Sequence, residues 1–185
     1  MTRIVGIAGS LRAASFNAKL LTAASYVLPR GASLTRWGGL GAVEPFDEDG
    51  EAGPEPAGVA SLRRAIAEAD ALLIATPEYN GSIPGQLKNA LDWASRPYGE
   101  GVLTGKPVAV IGASPSAYGA AWAQADLRKV LEAIGANVVD GDLAVPEVAR
   151  QFDEDDRLID PLLRSGLTDL LGRLHHHARG TLCPA

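Results

Sequence analysis

Three short runs constrain this chain more than anything else in it: Arg3-Ile4-Val5-Gly6-Ile7-Ala8, Ala71-Leu72-Leu73-Ile74-Ala75-Thr76 and Pro107-Val108-Ala109-Val110-Ile111. The first two are almost wholly apolar and lack the alternation of a half-solvated strand, so they read as central strands covered on both faces. Each run is followed by a loop of turn residues and then by apolar residues at helical spacing. Leu20, Leu21, Ala24, Val27 and Leu28 form the stripe after the first run, and Pro29-Arg30-Gly31 stops it. Leu87, Ala90, Leu91 and Ala94 follow the second, while Leu127, Val130, Leu131 and Ile134 follow the third and end at Gly135. A further stripe, Val59, Leu62, Ile66 and Ala69, precedes the second run.

Weaker signals complete the alternation. Ser33-Leu34-Thr35-Arg36-Trp37 is a more polar strand suited to a sheet edge, and Asn137 to Val145 can supply a fifth strand. A last helix from about 160 to 177 buries Leu163, Leu167, Leu170 and Leu174. Strands alternating with helices predict a doubly wound α/β parallel sheet. Five strands with no second nucleotide-binding half favour the flavodoxin-like order 2-1-3-4-5. The crevice then opens between the first and third strands. The loops at 9–17 and 77–85 flank it, and the loop at 112–119 borders its far side.

With 185 residues, 46% of them apolar, the chain can bury one core, so 1–185 is expected to be a single domain. A net charge of -5 gives no electrostatic reason to expect nucleic acid or an anionic membrane surface as partner. No apolar run approaches the roughly 20 residues of a membrane helix and no leader pattern opens the chain, so a cytoplasmic protein is expected. Cys183 is the only cysteine, which excludes an internal disulfide, and its terminal place argues against thiol catalysis. His175, His176 and His177 are consecutive and do not share a helical face, which favours a basic helix-end cap over a metal site. The segment from Gly38 to Pro56 is rich in glycine, proline and acids and reads as a long surface loop, a candidate lid or interface segment. Its acids and those at 153–156 read as solvated.

The first loop, Gly9-Ser10-Leu11-Arg12-Ala13-Ala14-Ser15-Phe16-Asn17, reads as a phosphate cradle. A helix N-terminus points unpaired N–H groups at it, Ser10, Ser15 and Asn17 add neutral donors, and Arg12 adds a planar cation. Ser15 is equally readable as an N-cap, and Arg12 as a solvated loop charge. A Walker loop is absent, and Arg12 and Ala14 stand where a dinucleotide fingerprint needs glycine. The second loop, Pro77-Glu78-Tyr79-Asn80-Gly81-Ser82-Ile83-Pro84-Gly85, suits a flat polar ring, with Tyr79 lining a slot and Glu78 either meeting a ring N–H or lying in solvent. No catalytic acid, base or nucleophile set appears, which implies that a bound cofactor carries the chemistry. FMN fits that description.

These residues carry a resemblance. The first loop, the second loop and Leu87-Lys88-Asn89-Ala90-Leu91-Asp92-Trp93 together resemble the NADPH-dependent FMN reductase family, over roughly residues 3 to 150. That family includes quinone and chromate reductases and azoreductase-like enzymes. The resemblance implies that Ser10, Arg12, Ser15 and Asn17, with Phe16 beside them, hold the FMN phosphate. It also implies that Pro77, Glu78, Tyr79, Asn80 and Gly81 border the isoalloxazine and that Ser114 closes its far edge. Hydride would pass from NADPH or NADH through FMN to a small-molecule acceptor such as a quinone, chromate, an azo dye or free flavin, by a ping-pong mechanism. The family's dimers and tetramers imply a homodimer or homotetramer, for which Trp93, Tyr98 and Trp122 are candidate contacts, Trp93 being equally readable as core. Two departures stand out: Phe46 replaces a tyrosine common in the family, and Ser116 and Ala120 replace glycines in the third loop. A flavodoxin-like electron carrier and a non-catalytic FMN-binding module are the rival readings. No arginine among Arg36, Arg63, Arg64 and Arg96 stands out as a site for the extra phosphate of NADPH.

Overall fold

A computed structural model describes residues 1–181; Cys183 lies outside the described residues. The elements run β1 (Thr2–Ala8), α1 (Phe16–Tyr26), β2 (Ala32–Trp37), α2 (Ala57–Glu68), β3 (Ala71–Thr76), α3 (Gly85–Ala94), β4 (Pro107–Ala113), α4 (Ala121–Ile134), β5 (Asn137–Val138), β6 (Leu143–Val145) and α5 (Pro161–Thr181). All strand pairings are parallel, and the order is β2-β1-β3-β4-β5 with β6 also paired to β4. The flavodoxin-like order expected from the spacing of apolar runs is therefore the observed one.

The central strands separate two cores by the alternation of their side chains. Leu73 and Ala75 of β3 with Ala109 and Ile111 of β4 face α1 and α5, where Leu20, Leu21, Leu170 and Leu174 pack. Leu72, Ile74, Val108 and Val110 face the other way, onto α2, α3 and α4 through Leu62, Ile66, Leu87, Leu91, Leu127 and Leu131. Every residue of β3 and β4 is buried, so neither strand has a solvent face. Each fully buried leucine in these layers contributes roughly 1.5–3 kcal/mol.

The fifth strand does not run unbroken from 137 to 145. Gly141 takes a left-handed turn at φ 98° within Asp140-Gly141-Asp142, which divides the segment into β5 and β6. The Arg128 guanidinium occupies the break, donating to the carbonyls of Val139 and Gly141. A strand cannot pair through a turn of that kind, so β4 carries two short partners in place of one long one.

The segment from 38 to 56 is anchored over residues 40–46 and largely exposed from 47 to 55. Leu40 and Val43 are buried, and the α3 side chains hold the main chain of this first part at several points. Gln86 Nε2 donates to the carbonyls of Leu40 and Val43 at 2.8 Å each. Asn89 donates to the Glu44 carbonyl and accepts from the Phe46 amide, and Trp93 Nε1 donates to the same Glu44 carbonyl at 2.9 Å. Phe46 packs edge-on against Trp93 at 5.0 Å between ring centres, so it serves the packing of this segment. Trp93, only 3% exposed, is core. The acids are partly neutralised: Arg96 pairs with Glu48 and Glu51, and Arg63 with Glu55.

The histidine run is not a helix-end cap. It lies inside α5, which continues to Thr181, and His175 is half-buried. Burial pushes the His175 imidazole below its ordinary value, with Arg179 adding to the effect, so the neutral ring is favoured. Among the described residues no histidine, cysteine and carboxylate cluster is arranged to hold a metal, and no helix is long and apolar enough to cross a membrane.

Candidate functional site

The strand order brings three loops to one end of the sheet. The first leaves β1 and enters α1, the second leaves β3 and enters α3, and the third leaves β4 and enters α4. Gly9 is where the first two meet. Its amide donates to the Ala75 carbonyl at 2.8 Å, and a Cβ there would lie 2.9 Å from Leu87 Cδ2 and 3.2 Å from Pro77 Cδ. Only glycine lets the two loops close on each other this tightly.

Beyond Gly9 the loop is organised by its own hydroxyls. Ser10 Oγ accepts from the Arg12 amide at 3.3 Å, and Ser15 Oγ accepts from the Ala18 amide at 3.3 Å, which makes Ser15 the N-cap of α1. Arg12 is exposed and forms no ion pair among the described residues. Phe16, half-buried, packs its ring against the core on the α1 and α5 side. Asn17 departs from the expected donor role. It is 2% exposed, with Nδ2 donating to the Ala113 carbonyl and Oδ1 accepting from the Ala113 amide, both at 3.0 Å. Its amide fastens α1 to the end of β4, which leaves Ser10, Arg12 and the amides of Phe16 and Asn17 as the candidate anion donors of the first loop.

The second loop owes its shape to Asn80-Gly81. Tyr79 and Ser82 exchange two backbone hydrogen bonds at 3.0 and 3.1 Å, while Asn80 and Gly81 both have positive φ, 53° and 77°. This is the two-residue turn for which Asn-Gly is favoured. Tyr79 is left 46% exposed beside it. Glu78 does not lie free in solvent: its Oε2 accepts from the Ala123 amide at 3.2 Å, in the first turn of α4. A carboxylate there complements the helix dipole and ties the second loop to the helix that follows the third. Pro77 is buried, and its carbonyl accepts from Thr76 Oγ1 at 2.7 Å.

In the third loop Ser114 is 8% exposed, and its hydroxyl accepts from the Ser116 amide at 3.2 Å, holding the loop's own curve. Gly119 presses on β6, where a Cβ would come within 2.7 Å of the Val145 nitrogen. Ala120 follows in the left-handed region at φ 65°, a conformation that favours the glycine it replaces. Tyr118 and Trp122, 60% and 52% exposed, pack ring to ring at 4.6 Å between centres.

This arrangement offers anion donors at one end and exposed aromatic faces at the other. The sequence profile of the NADPH-dependent FMN reductases matches residues 2–150, a span that contains all three loops. The chain belongs to that family. It is accordingly an oxidoreductase that works with FMN and NAD(P)H. An NAD(P)H-dependent FMN reductase of Pseudomonas aeruginosa is 39% identical over 163 residues, covering 88% of this chain and 87% of that protein. A 2-hydroxy-1,4-benzoquinone reductase of a Burkholderia species is 46% identical over 129 residues, 69% of each chain. Among solved structures, the flavoenzyme NAD(P)H:(acceptor) oxidoreductase FerB of Paracoccus denitrificans superposes with a TM-score of 0.83 at 32% identity, over 96% of this chain and 99% of that one.

The residues present in this FMN reductase suit the cofactor. A phosphate monoester needs donors without competing carboxylates, which the first loop supplies, and a flat ring needs faces to stack on, which Tyr79, Tyr118 and Trp122 supply. One cationic neighbour of the first loop was not separable in the sequence. Arg36 is the last residue but one of the edge strand, the β1–β2 register sets it opposite Gly6, and it lines the cleft at the flank of the first loop. The strand order was the signal for it, since order 2-1-3 puts the end of β2 beside the loop after β1.

Proposed function

We propose that this protein uses NAD(P)H to reduce quinone-class acceptors, with FMN held by Ser10, Arg12 and the amides opening α1, and with the second and third loops beside its ring. The observation that carries this reading is the group of exposed aromatic rings, Tyr79 with the Tyr118–Trp122 pair, at the same end of the sheet as the anion cradle. Flat acceptors stack on such a rim with little ordering cost. The quinone reductases among its relatives, in Burkholderia and Pseudomonas putida, support the same acceptor class.

Bound FMN would supply the hydride chemistry, two electrons and a proton passing between the nicotinamide and the acceptor. The chain's part is to bind and orient. Asn17 and Glu78 hold the three loops in register, Gly9 keeps the first two in contact, and Pro77 to Gly81 present a backbone that a ring can approach closely. Nicotinamide and quinone both need the same face of the ring, so they take turns and the kinetics are ping-pong. The dimers and tetramers of the family favour a homodimer or a larger homo-oligomer. The supply of reductant favours the cytoplasm as its place of work.

The test is the visible spectrum of the FMN-loaded protein before and after anaerobic NADPH, followed by addition of a benzoquinone. Loss of the flavin bands with NADPH and their return with quinone is the expected result. Bands that stay unchanged would leave an electron carrier or binding module as the better reading. Initial rates at several concentrations of both substrates should give parallel double-reciprocal lines.

A further inference from the structure

Lys106 sits at the end of the sheet opposite the three loops, in the turn that enters β4. Its main chain is fixed on both sides, the amide donating to the Leu103 carbonyl at 3.0 Å and the carbonyl accepting from the Asn137 amide at 2.9 Å. The residue lines a cavity of about 290 Å³, with Ala67, Ala69, Asp70, Thr104 and Ala178 around it. One hydrogen bond holds the amine: Nζ donates to the Ala69 carbonyl at 2.6 Å, at the C-terminal cap of α2.

This amine differs from those of the other lysines, Lys19, Lys88 and Lys129. Lys19 is ion-paired with Asp156 and Lys88 with Asp92, while Lys129 is exposed on α4. Lys106 is half-buried and belongs to none of the ion pairs of the described residues. The carboxylate that shares its cavity, Asp70, is already bound by the amide and the guanidinium of Arg3. An ammonium taken partly out of water, with one carbonyl as acceptor and no counter-ion in contact, gives up its proton more readily. Burial accordingly pushes Lys106 below its ordinary value; the Asp70 charge opposes this and the Arg3 charge adds to it. The neutral amine still donates to the Ala69 carbonyl and gains a lone pair.

A neutral amine in the wall of an open cavity is a nucleophile with room for an electrophile. We propose that Lys106 is an acylation site that takes the acyl group of small acyl phosphates such as acetyl phosphate. The Nζ lone pair attacks the carbonyl carbon, and the N–C bond forms as the C–O bond to phosphate breaks. Inorganic phosphate leaves with that electron pair, and the surplus proton of the amine passes to water. A donor with so good a leaving group needs only the amine from the protein, which suits a cavity whose one carboxylate is engaged by Arg3. Acylation removes the positive charge at the C-terminus of α2 and with it a favourable interaction with the helix dipole. The site is remote from the three loops and does not depend on the reductase reading.

The experiment exposes the FMN-loaded parent to acetyl phosphate at mildly alkaline pH and follows each lysine by peptide mass mapping. Lys106 should be acetylated about threefold or more faster than Lys129. In urea, where the cavity is lost, the two rates should converge. Asp70→Asn removes the charge that favours the ammonium, so it should raise the Lys106 rate by about twofold or more while Lys129 keeps the parent's rate. A Lys106 rate at or below that of Lys129 in the folded parent overturns the proposal, as does an Asp70→Asn rate at Lys106 no higher than the parent's. A preference for Lys106 that survives unfolding overturns it too, since the reactivity would then belong to the neighbouring sequence and not to the cavity.

Discussion

The side-chain amide of Asn17 meets both main-chain groups of Ala113, giving and receiving hydrogen bonds of 3.0 Å at the last residue of β4. A residue in the first turn of α1 thereby sets the distance from the first loop to the third. With 2% of its surface exposed, Asn17 makes these bonds where water does not compete. Replacement by alanine orphans a buried N–H and a buried C=O together. Asn17→Ala should lower stability by about 2–4 kcal/mol, read as a drop in urea midpoint at constant slope, and should weaken FMN binding as well. A variant as stable as the parent would show that water replaces the amide.

Arg12 is exposed, has no ion-pair partner among the described residues and sits over the first loop, so its removal should cost little in folding. FMN affinity, measured by quenching of flavin fluorescence, should fall by about tenfold or more in Arg12→Ala. Flavin reduction in FMN-saturated variant should slow by much less. Unchanged FMN affinity would remove Arg12 from the phosphate cradle.

Because Gln86, Asn89 and Trp93 hold residues 40–46 by their main chain, limited proteolysis should leave that stretch intact in the native protein. Asn89→Ala releases the Phe46 amide and the Glu44 carbonyl and should open this segment to cleavage at rates several times the parent's. Ready cleavage of the parent would restore the lid.

At the opposite end of the sheet Asp70 accepts from the Arg3 amide at 2.7 Å and from its guanidinium at 3.2 Å. Burial alone would push the Asp70 carboxyl up, but these hydrogen bonds and the charges of Arg3 and Lys106 outweigh it and hold it below its ordinary value of 3.8. A carboxyl lowered in the folded state adds stability that is complete above the ordinary value and lost as pH falls through the folded one. The stability gap between the parent and Asp70→Asn should therefore be constant near neutrality and shrink below about pH 4. A gap independent of pH from 7 to 3 would mean that the ion pair adds nothing.

What could be read without the structure follows from how local each signal is. Ala71 to Thr76 and Pro107 to Ile111 announce buried strands through their own residues, so the sheet order and the meeting of three loops were legible. Gly9 and Asn80-Gly81 likewise mark their turns by residue type. The anchoring of the 38–56 segment was not legible, because it depends on side chains more than forty positions away that bond to backbone, and backbone bonds leave no trace in residue type. The same reason hid the partners of Asn17 and Glu78, polar residues in a loop motif whose amide and carboxylate turn inward. The break between β5 and β6 was half visible, as Gly141 signals a turn, while the Arg128 side chain that fills it comes from another helix.

The span between Asn17 and Ala113, 96 positions apart in the chain, also bears on when the cofactor can be captured. During synthesis the first loop leaves the ribosome early, but its helix stays untethered until β4 has followed and found its place beside β3. Flavin uptake should therefore come late, as a mark that the central sheet has closed. A nascent chain stopped before residue 113 would carry every side chain of the phosphate cradle and still bind poorly.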